Sequence, residues 1–328
     1  NGESFFDEGP SARAISNYLG TEHTEVSVSS SDALSLIPAL AKTYSEPFAD
    51  PSQLPTLIIC EAARASGLKA ILGGDGGDEL FGGYTRHRVI PFIYKSPKLF
   101  RYVLLNLLNF IPISREGLTV SKFQKLSQAI QNSDSIDDLY NSVISLLNNS
   151  HNIFTKEFRH DLLPTSNFSV PEANSLEERI MLSDTLHYLP SDILVKIDRA
   201  AMSVGLENRA PFLDHRVAQF AWSLPCSYKI REGRNLPFYR KTQKWALRKI
   251  LHKYLPDNLV NNNKKGFAMP IGSWIKGPLN SWAESLLDPQ LIQKQGFLDY
   301  KVIDKLWTDH VNGKRDNTNN LWTILMWQ

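Results

Sequence analysis

Eleven residues, Gly73-Gly74-Asp75-Gly76-Gly77-Asp78-Glu79-Leu80-Phe81-Gly82-Gly83, limit the folds open to this chain more than any other stretch. They follow a short apolar run, Lys69-Ala70-Ile71-Leu72, that reads as a buried strand. Six glycines in the run allow positive φ and close backbone approach to a ligand. Asp75, Asp78 and Glu79 sit among them. A glycine turn at a strand end offers amide N–H groups to phosphate oxygens, and clustered acids can hold Mg²⁺. Two plainer readings compete. One is a turn with nothing bound. The other is a calcium-binding nonapeptide, because residues 73–80 fit Gly-Gly-x-Gly-x-Asp-x-apolar. That motif works in stacked copies, and the chain carries one copy with no internal repeat.

A length of 328 residues allows about two domains. With 42% apolar and 21% charged residues, the composition is that of a globular chain with a sizeable core. The balance of 36 basic and 34 acidic residues, net +2, makes no electrostatic case for nucleic acid or an anionic membrane. Cys60 and Cys226 form neither a metal spacing nor a disulfide framework, so a cytoplasmic location is expected. The apolar stretch 102–113 is broken by Asn106 and Asn109 and is too short to span a bilayer. No signal-peptide pattern opens the chain. It begins without Met on a polar loop and stops inside an apolar run. Both ends are therefore expected to be cuts in a longer protein.

Along the chain, helix and strand patterns alternate over residues 7–90. Asp7 is placed to cap a helix running to about Tyr18, with Gly20 as its stop. Residues 23–28 alternate like a strand, with Thr24, Val26 and Val28 on one face. Ser31 and Asp32 open a helix through Ala41, and 55–65 is a further helix before the Ile71 strand. This order predicts a parallel α/β sheet, with ligands bound beyond the carboxyl ends of the strands. From about residue 95 clear strands disappear. Residues 99–108, 120–130, 136–147, 176–186, 192–204 and 238–254 carry helical spacing. Loop signals stand at 148–150 and 164–167. The expected division is 1–94, an α/β nucleotide-binding layer, and 95–328, a largely helical portion of the same domain.

A second constellation runs from a helix capped by Asp192 into residues 206–214. It concentrates Lys196, Asp198, Arg199, Glu207 and Arg209 among dense apolar positions, so some of these charges should be partly buried and paired. The alternatives are an ion-pair network pinning the helix and a functional site. A third stretch, Asn261-Asn262-Asn263-Lys264-Lys265-Gly266-Phe267-Ala268-Met269-Pro270, reads either as solvated surface or as a mobile loop delivering a lysine to phosphate.

Taken together, residues 73–84, 189–214 and 264–274 resemble, in order, the synthetase domain of glutamine-dependent asparagine synthases. Asp7-Glu8 and the run from Glu46 to Ser52 are also similar to family positions. The resemblance covers essentially the whole chain. It implies an adenine-nucleotide α-hydrolase-like (ATP-pyrophosphatase) parallel sheet, incomplete at the N-terminus and followed by a helical portion. It further implies that ATP, with Mg²⁺, adenylates the β-carboxylate of aspartate. Ammonia from a separate glutaminase domain then displaces AMP. In this resemblance Asp75 stands at the position of the base that takes a proton from ammonia, where well-studied members carry the longer glutamate. Gly73, Gly74 and Gly76 belong to the ATP–pyrophosphate loop, and Asp78 matches the Mg–pyrophosphate carboxylate. Lys264 matches the lysine that neutralises the phosphates. Glu79, Lys196, Asp198, Arg199, Glu207 and Arg209 fall on the acceptor side. The family's Ser-Gly-Gly-x-Asp-Ser loop is absent and is expected upstream, together with the glutaminase domain. The resemblance leaves a homodimer open. Two further readings stay open: an amidotransferase acting on a sugar, peptide or β-lactam-precursor carboxylate, and a non-catalytic module with the same fold.

Overall fold

The computed structural model describes residues 9–97, 129–130, 133, 135–147, 150–159, 172–231, 242–260 and 269–328. The chain forms two compact units. The first comprises Asn1–Ser45, Asp50–Phe92 and Val170–Pro270, and the second Glu46–Ala49, Ile93–Ser169 and Ile271–Gln328. The grouping runs differently from a contiguous division at residue 94, because the chain returns to the first unit over Val170–Pro270.

The first unit holds a two-stranded parallel sheet. Strand β1 (Ala70–Leu72) pairs with β2 (Glu207–Arg209), with Ile71 opposite Asn208. β1 lies where the apolar run places it, but it is not buried: Leu72 is 77% exposed and Ile71 half-buried. β2 corrects the expectation that strands end before residue 95. Its sequence carries no apolar residue, so no hydrophobic alternation marks it. The expected strand at 23–28 is also corrected. That stretch joins no ladder and is largely exposed, since among the described residues no neighbouring strand gives its alternation a face to bury.

Helices make up most of the rest of this unit. Gly9–Leu19 precedes the positive-φ Gly20. The proposed cap at Asp7 lies outside the described residues. Ser30–Tyr44 is capped by Ser29 rather than by Ser31 or Asp32. Asp32 instead completes a reciprocal capping box, its amide donating to Ser29 Oγ at 3.2 Å and its carboxylate accepting from the Ser29 amide at 2.8 Å. Gln53–Ala65 buries Leu54, Leu57 and Cys60 at helical spacing. Leu194–Ser203 packs on it and on Ser30–Tyr44, and buries Ala200 and Ala201. Leu80, Phe81 and Ala221 form a further core with Phe212, Trp222 and Leu247.

Asp192 is not a helix cap. The backbone runs helically from Leu176 to Ser203, with a π-helical stretch, Asp184–Ile193, in the middle. Pro190 lies inside that stretch and explains it. A proline has no N–H for the i−4 carbonyl and its ring crowds that turn, so the helix widens around it; the Leu194 amide reaches Leu189 O, five residues back.

The second unit is helical where described. Ile136–Ile144 is capped by Ser135, and Ile271–Lys276, Asn280–Leu286, Pro289–Gln295, Tyr300–Val311 and Thr318–Trp327 bury Ile271, Trp274, Ile275, Ile292, Ile303, Leu321 and Trp322. The imidazole of His310 joins two of these elements. Its Nδ1 accepts from the Asn317 amide at 3.3 Å, so Nε2 carries the proton donated to Gly272 O at 3.1 Å. The expected helix at 99–108, most of that at 120–130, the loop at 164–167 and the first residues of 238–254 lie outside the described residues. Among the described residues no helix is long and apolar enough to cross a membrane.

Candidate functional site

The glycine loop leaves the carboxyl end of β1 and enters a short helix, Gly77–Phe81. The Gly73 amide donates to Arg209 O at 2.8 Å, which ties the loop's start to β2. Most of its glycines serve packing against the protein itself rather than six-fold ligand approach. A Cβ on Gly73 would lie 2.5 Å from Asp75 Oδ2, and one on Gly76, at φ +85°, 2.3 Å from Leu213. Gly77 packs against the Phe212 ring. Gly74 differs, because a Cβ there would meet nothing within 4 Å. Close backbone approach by a ligand is therefore open at Gly74.

Asp75 is half-buried, and its Oδ2 accepts from Asn208 Nδ2 at 3.4 Å. Asn208 reaches it because β2 sets residue 208 opposite Ile71. Asp78 pairs with Lys244, Nζ to Oδ1 2.9 Å. Lys244 holds a left-handed backbone, φ +52°, one residue before the helix Trp245–Leu251. It falls within the helical spacing expected at 238–254, and nothing in the local sequence singles it out. Lys264 and Lys265 lie outside the described residues.

Glu79 is buried at 1% exposure, and the Tyr84 hydroxyl donates to its Oε1 at 2.7 Å. Burial pushes this carboxyl upward, and the Tyr84 hydroxyl opposes that rise. The Tyr84 ring lies against Arg86, whose guanidinium carbon is 3.8 Å from the ring centroid, and edge-on to Tyr188 at 5.8 Å. Arg86 Nε donates to both oxygens of Asp184, at 3.0 and 2.8 Å, and His87 Nε2 reaches the same carboxylate. Burial alone would raise Asp184, but His87 and Arg86 hold it below the ordinary carboxylate range.

Further along the same helical run stands Lys196. Its ammonium donates to Asp50 Oδ2 and to Ser52 Oγ, each at 2.7 Å. Burial works against the Asp50 charge, yet Lys196 and Ser52 hold its carboxyl low. Asp192 next to them is pushed up to about 6 by burial and by the Asp50 carboxylate. The other predicted charges stand apart from this cluster. Asp198 and Arg199 are exposed, and Glu207 and Arg209 pair with each other at 2.9 Å on the exposed side of β2. Of the five charges in that constellation, Lys196 is the one drawn into a partly buried pair. Arg86, Asp184 and Lys244 carry no local sequence mark, and Tyr84 marks only the end of the glycine motif.

Among the described residues no group of three or more His, Cys, Asp or Glu side chains could hold a metal by itself. Mg²⁺ is commonly bound by one or two carboxylates plus substrate phosphates, and Asp78 fits such a shared role.

The chain as a whole is similar to known proteins. A family model described as asparagine synthase matches residues 2–328. The glutamine-hydrolysing asparagine synthetase 1 of Bacillus subtilis is 26% identical over 98% of this chain and 49% of its own length. The amidase chyE of Penicillium rubens is 25% identical over 93% of this chain and 48% of its own length. The chain thus spans about half the length of these curated relatives.

Proposed function

The chain belongs to the asparagine synthase family, and on that premise we propose that its first unit carries the synthetase site of an ATP-dependent carbon–nitrogen ligase of the ATP-pyrophosphatase fold. In this reading a carboxylate oxygen of aspartate attacks the α-phosphate of ATP and pyrophosphate leaves. Ammonia, supplied by a glutaminase domain, then attacks the acyl carbon, and AMP leaves as the amide forms.

The observation that carries the reading is the placing of Asp75 on a glycine loop, and of Asp78 on the short helix it enters, at the carboxyl end of a parallel strand. Ligand sites of parallel α/β sheets lie at that end. Asp78 would hold Mg²⁺ jointly with the phosphates, and the bound ion would neutralise charge on the departing pyrophosphate. Lys244, already at Asp78, and Lys264 would supply further positive charge there. Asp75 would accept a proton from ammonia, with Asn208 orienting its carboxylate. Glu79 and the Lys196–Asp50 pair would face the acceptor.

A second reading rests on Asp75 itself. Its side chain is one methylene shorter than glutamate, and the relatives include an amidase as well as synthetases. An amidotransferase acting on another carboxylate answers to both facts.

The test is pyrophosphate release by the full-length protein containing this chain, with ATP, Mg²⁺, ammonia and a panel of carboxylates. Release with aspartate is the expected result. Release with a sugar, peptide or β-lactam-precursor carboxylate alone selects the second reading. Release with none identifies a non-catalytic module.

A further inference from the structure

The proposed chemistry leaves the end of the glycine motif, Gly82-Gly83-Tyr84, unused. The structure gives it a purpose. Gly82 takes φ +68° and closes the Gly77–Phe81 helix with its amide on Asp78 O, and the Gly83 amide donates to the same carbonyl at 2.7 Å. A Cβ on Gly82 would come within 2.5 Å of Ile230, so a side chain there would push the turn open. This tight reversal brings residue 84 back onto residue 79.

We propose that Tyr84 is a positioning residue: its hydroxyl, fixed by a stack of side chains, holds the buried Glu79 carboxylate in one orientation on the acceptor side of the loop. This rests on the reading above only in placing the acceptor beside Glu79.

The stack is what fixes the hydroxyl. The Tyr84 ring is flanked by the Arg86 guanidinium at 3.8 Å, by the Tyr188 edge at 5.8 Å and by His87 at 5.4 Å. Arg86 also lies 4.4 Å over the Tyr188 ring, so its guanidinium touches both tyrosines. Asp184, fully buried on the π-helical stretch, anchors Arg86 and His87 together. A tyrosine has two side-chain torsions, and contacts on its faces and edges restrict both.

The neighbours of Glu79 leave this contact to the hydroxyl. Asp78 and Asp184 are the carboxylates that face Glu79, and neither can donate to it when charged. The nearest cation of the stack, Arg86, donates its Nε hydrogen bonds to Asp184. The Tyr84 hydroxyl, 2.7 Å from Oε1, is the side-chain donor that the geometry of the turn sets on this carboxylate.

The experiment compares Tyr84→Phe, Glu79→Gln and the double variant in the full-length protein. Acceptor KM, kcat and the KM for ATP are measured, with melting temperature alongside. Tyr84→Phe is expected to raise acceptor KM about tenfold while KM for ATP stays unchanged. The double variant is expected to be no worse than Glu79→Gln alone. Additive effects, or a lowered melting temperature with unchanged acceptor KM, would overturn the proposal. If the unmodified protein releases no pyrophosphate with any carboxylate, the functional reading falls. A double-variant cycle of Tyr84→Phe with Glu79→Ala in urea unfolding then decides: coupled losses uphold the hold of Tyr84 on Glu79, and additive losses end it.

Discussion

Lys244 sets its ammonium 2.9 Å from Asp78, and the pair lies directly on the Cα of Gly83. A Cβ at Gly83 would fall 1.8 Å from Asp78 Oδ1 and 2.3 Å from Lys244 Cε. The carbonyl of Gly83 meanwhile accepts from Gln243 Nε2 at 2.9 Å, so the same glycine receives both residues that lead into the Trp245–Leu251 helix. Gly83 is thus where the glycine loop and the lysine-bearing segment close against each other.

Gly83→Ala should separate the pair. The methyl cannot fit without moving a carboxylate or a lysine stem, and overpacking of this kind costs about 1–3 kcal/mol. Urea unfolding of the variant should show a loss in that range. Pyrophosphate release by the full-length protein should fall further than the stability loss explains. A variant with unchanged unfolding and unchanged release would mean that the pair relocates freely.

The Asp50–Asp192–Lys196 cluster predicts a stability that depends on pH. Asp192 sits at about 6 in the fold against an ordinary value of 3.8, through burial and the Asp50 carboxylate, with Lys196, Tyr188 and Arg86 also facing it. The folded state therefore holds this proton more tightly than the unfolded chain does. The sign follows: the group favours the fold below pH 3.8, and that contribution is lost as pH rises through 6. Asp192→Asn should raise the melting temperature above pH 6.5 relative to the unmodified chain. The two should converge near pH 4. A constant offset across the range would place the effect outside ionisation.

Legibility in the sequence followed the range of the interactions. Asp75, Asp78 and Glu79 can be read because they lie within seven residues after an apolar strand. Ser29 and Asp32 show the limit of local reading, since a serine two residues later offered an equally plausible cap. β2 could not be read at all. Glu207-Asn208-Arg209 has no apolar member, and only its ladder with β1, across more than a hundred residues, makes it a strand. Arg86 meets Asp184 at a separation of 98, and Gln243 meets Gly83 at 160. No spacing rule reaches that far. The π-helical stretch lay hidden for a different reason: Pro190 followed by Ser191 and Asp192 looks like a fresh helix start, and the continuing turn hydrogen bonds have no sequence mark.

The second unit carries its own pH signature in His310. Burial lowers this imidazole below its ordinary 6.5, and the Asn317 amide already donates to Nδ1. Protonation would set two donors against each other there. Asp316 partly compensates from 3.9 Å, and Lys276 works in the opposite direction. A depressed value means the contribution to stability is full above pH 6.5 and is lost as pH falls below it. Melting temperature should drop between pH 7 and 5, and His310→Gln should flatten that slope at some cost in stability at pH 7.5. An equally steep slope in the variant would assign the acid sensitivity elsewhere.

Lys244 and Lys264 make the last prediction, because both are offered to the same charge. If Lys244 only balances Asp78, it is a partly exposed ion pair, with 27% and 17% of the two side chains accessible, and its loss should cost at most about 1 kcal/mol of stability. If it meets charge developing on the phosphates, its removal should slow adenylate formation roughly a hundred- to thousandfold, the usual effect of losing a transition-state donor worth about 2.7–4 kcal/mol. The left-handed backbone at Lys244 favours the second outcome, since a strained φ outside glycine persists where the surrounding structure enforces it. Lys244→Ala and Lys264→Ala in the full-length protein should therefore each cut pyrophosphate release steeply with small changes in melting temperature. Lys265→Ala should be nearly silent. The double variant separates the roles. A loss no greater than either single one means that the two lysines act as a unit on one phosphate group, and multiplied losses mean that they act on separate oxygens. Normal release by Lys244→Ala would leave the Asp78 pair a structural contact.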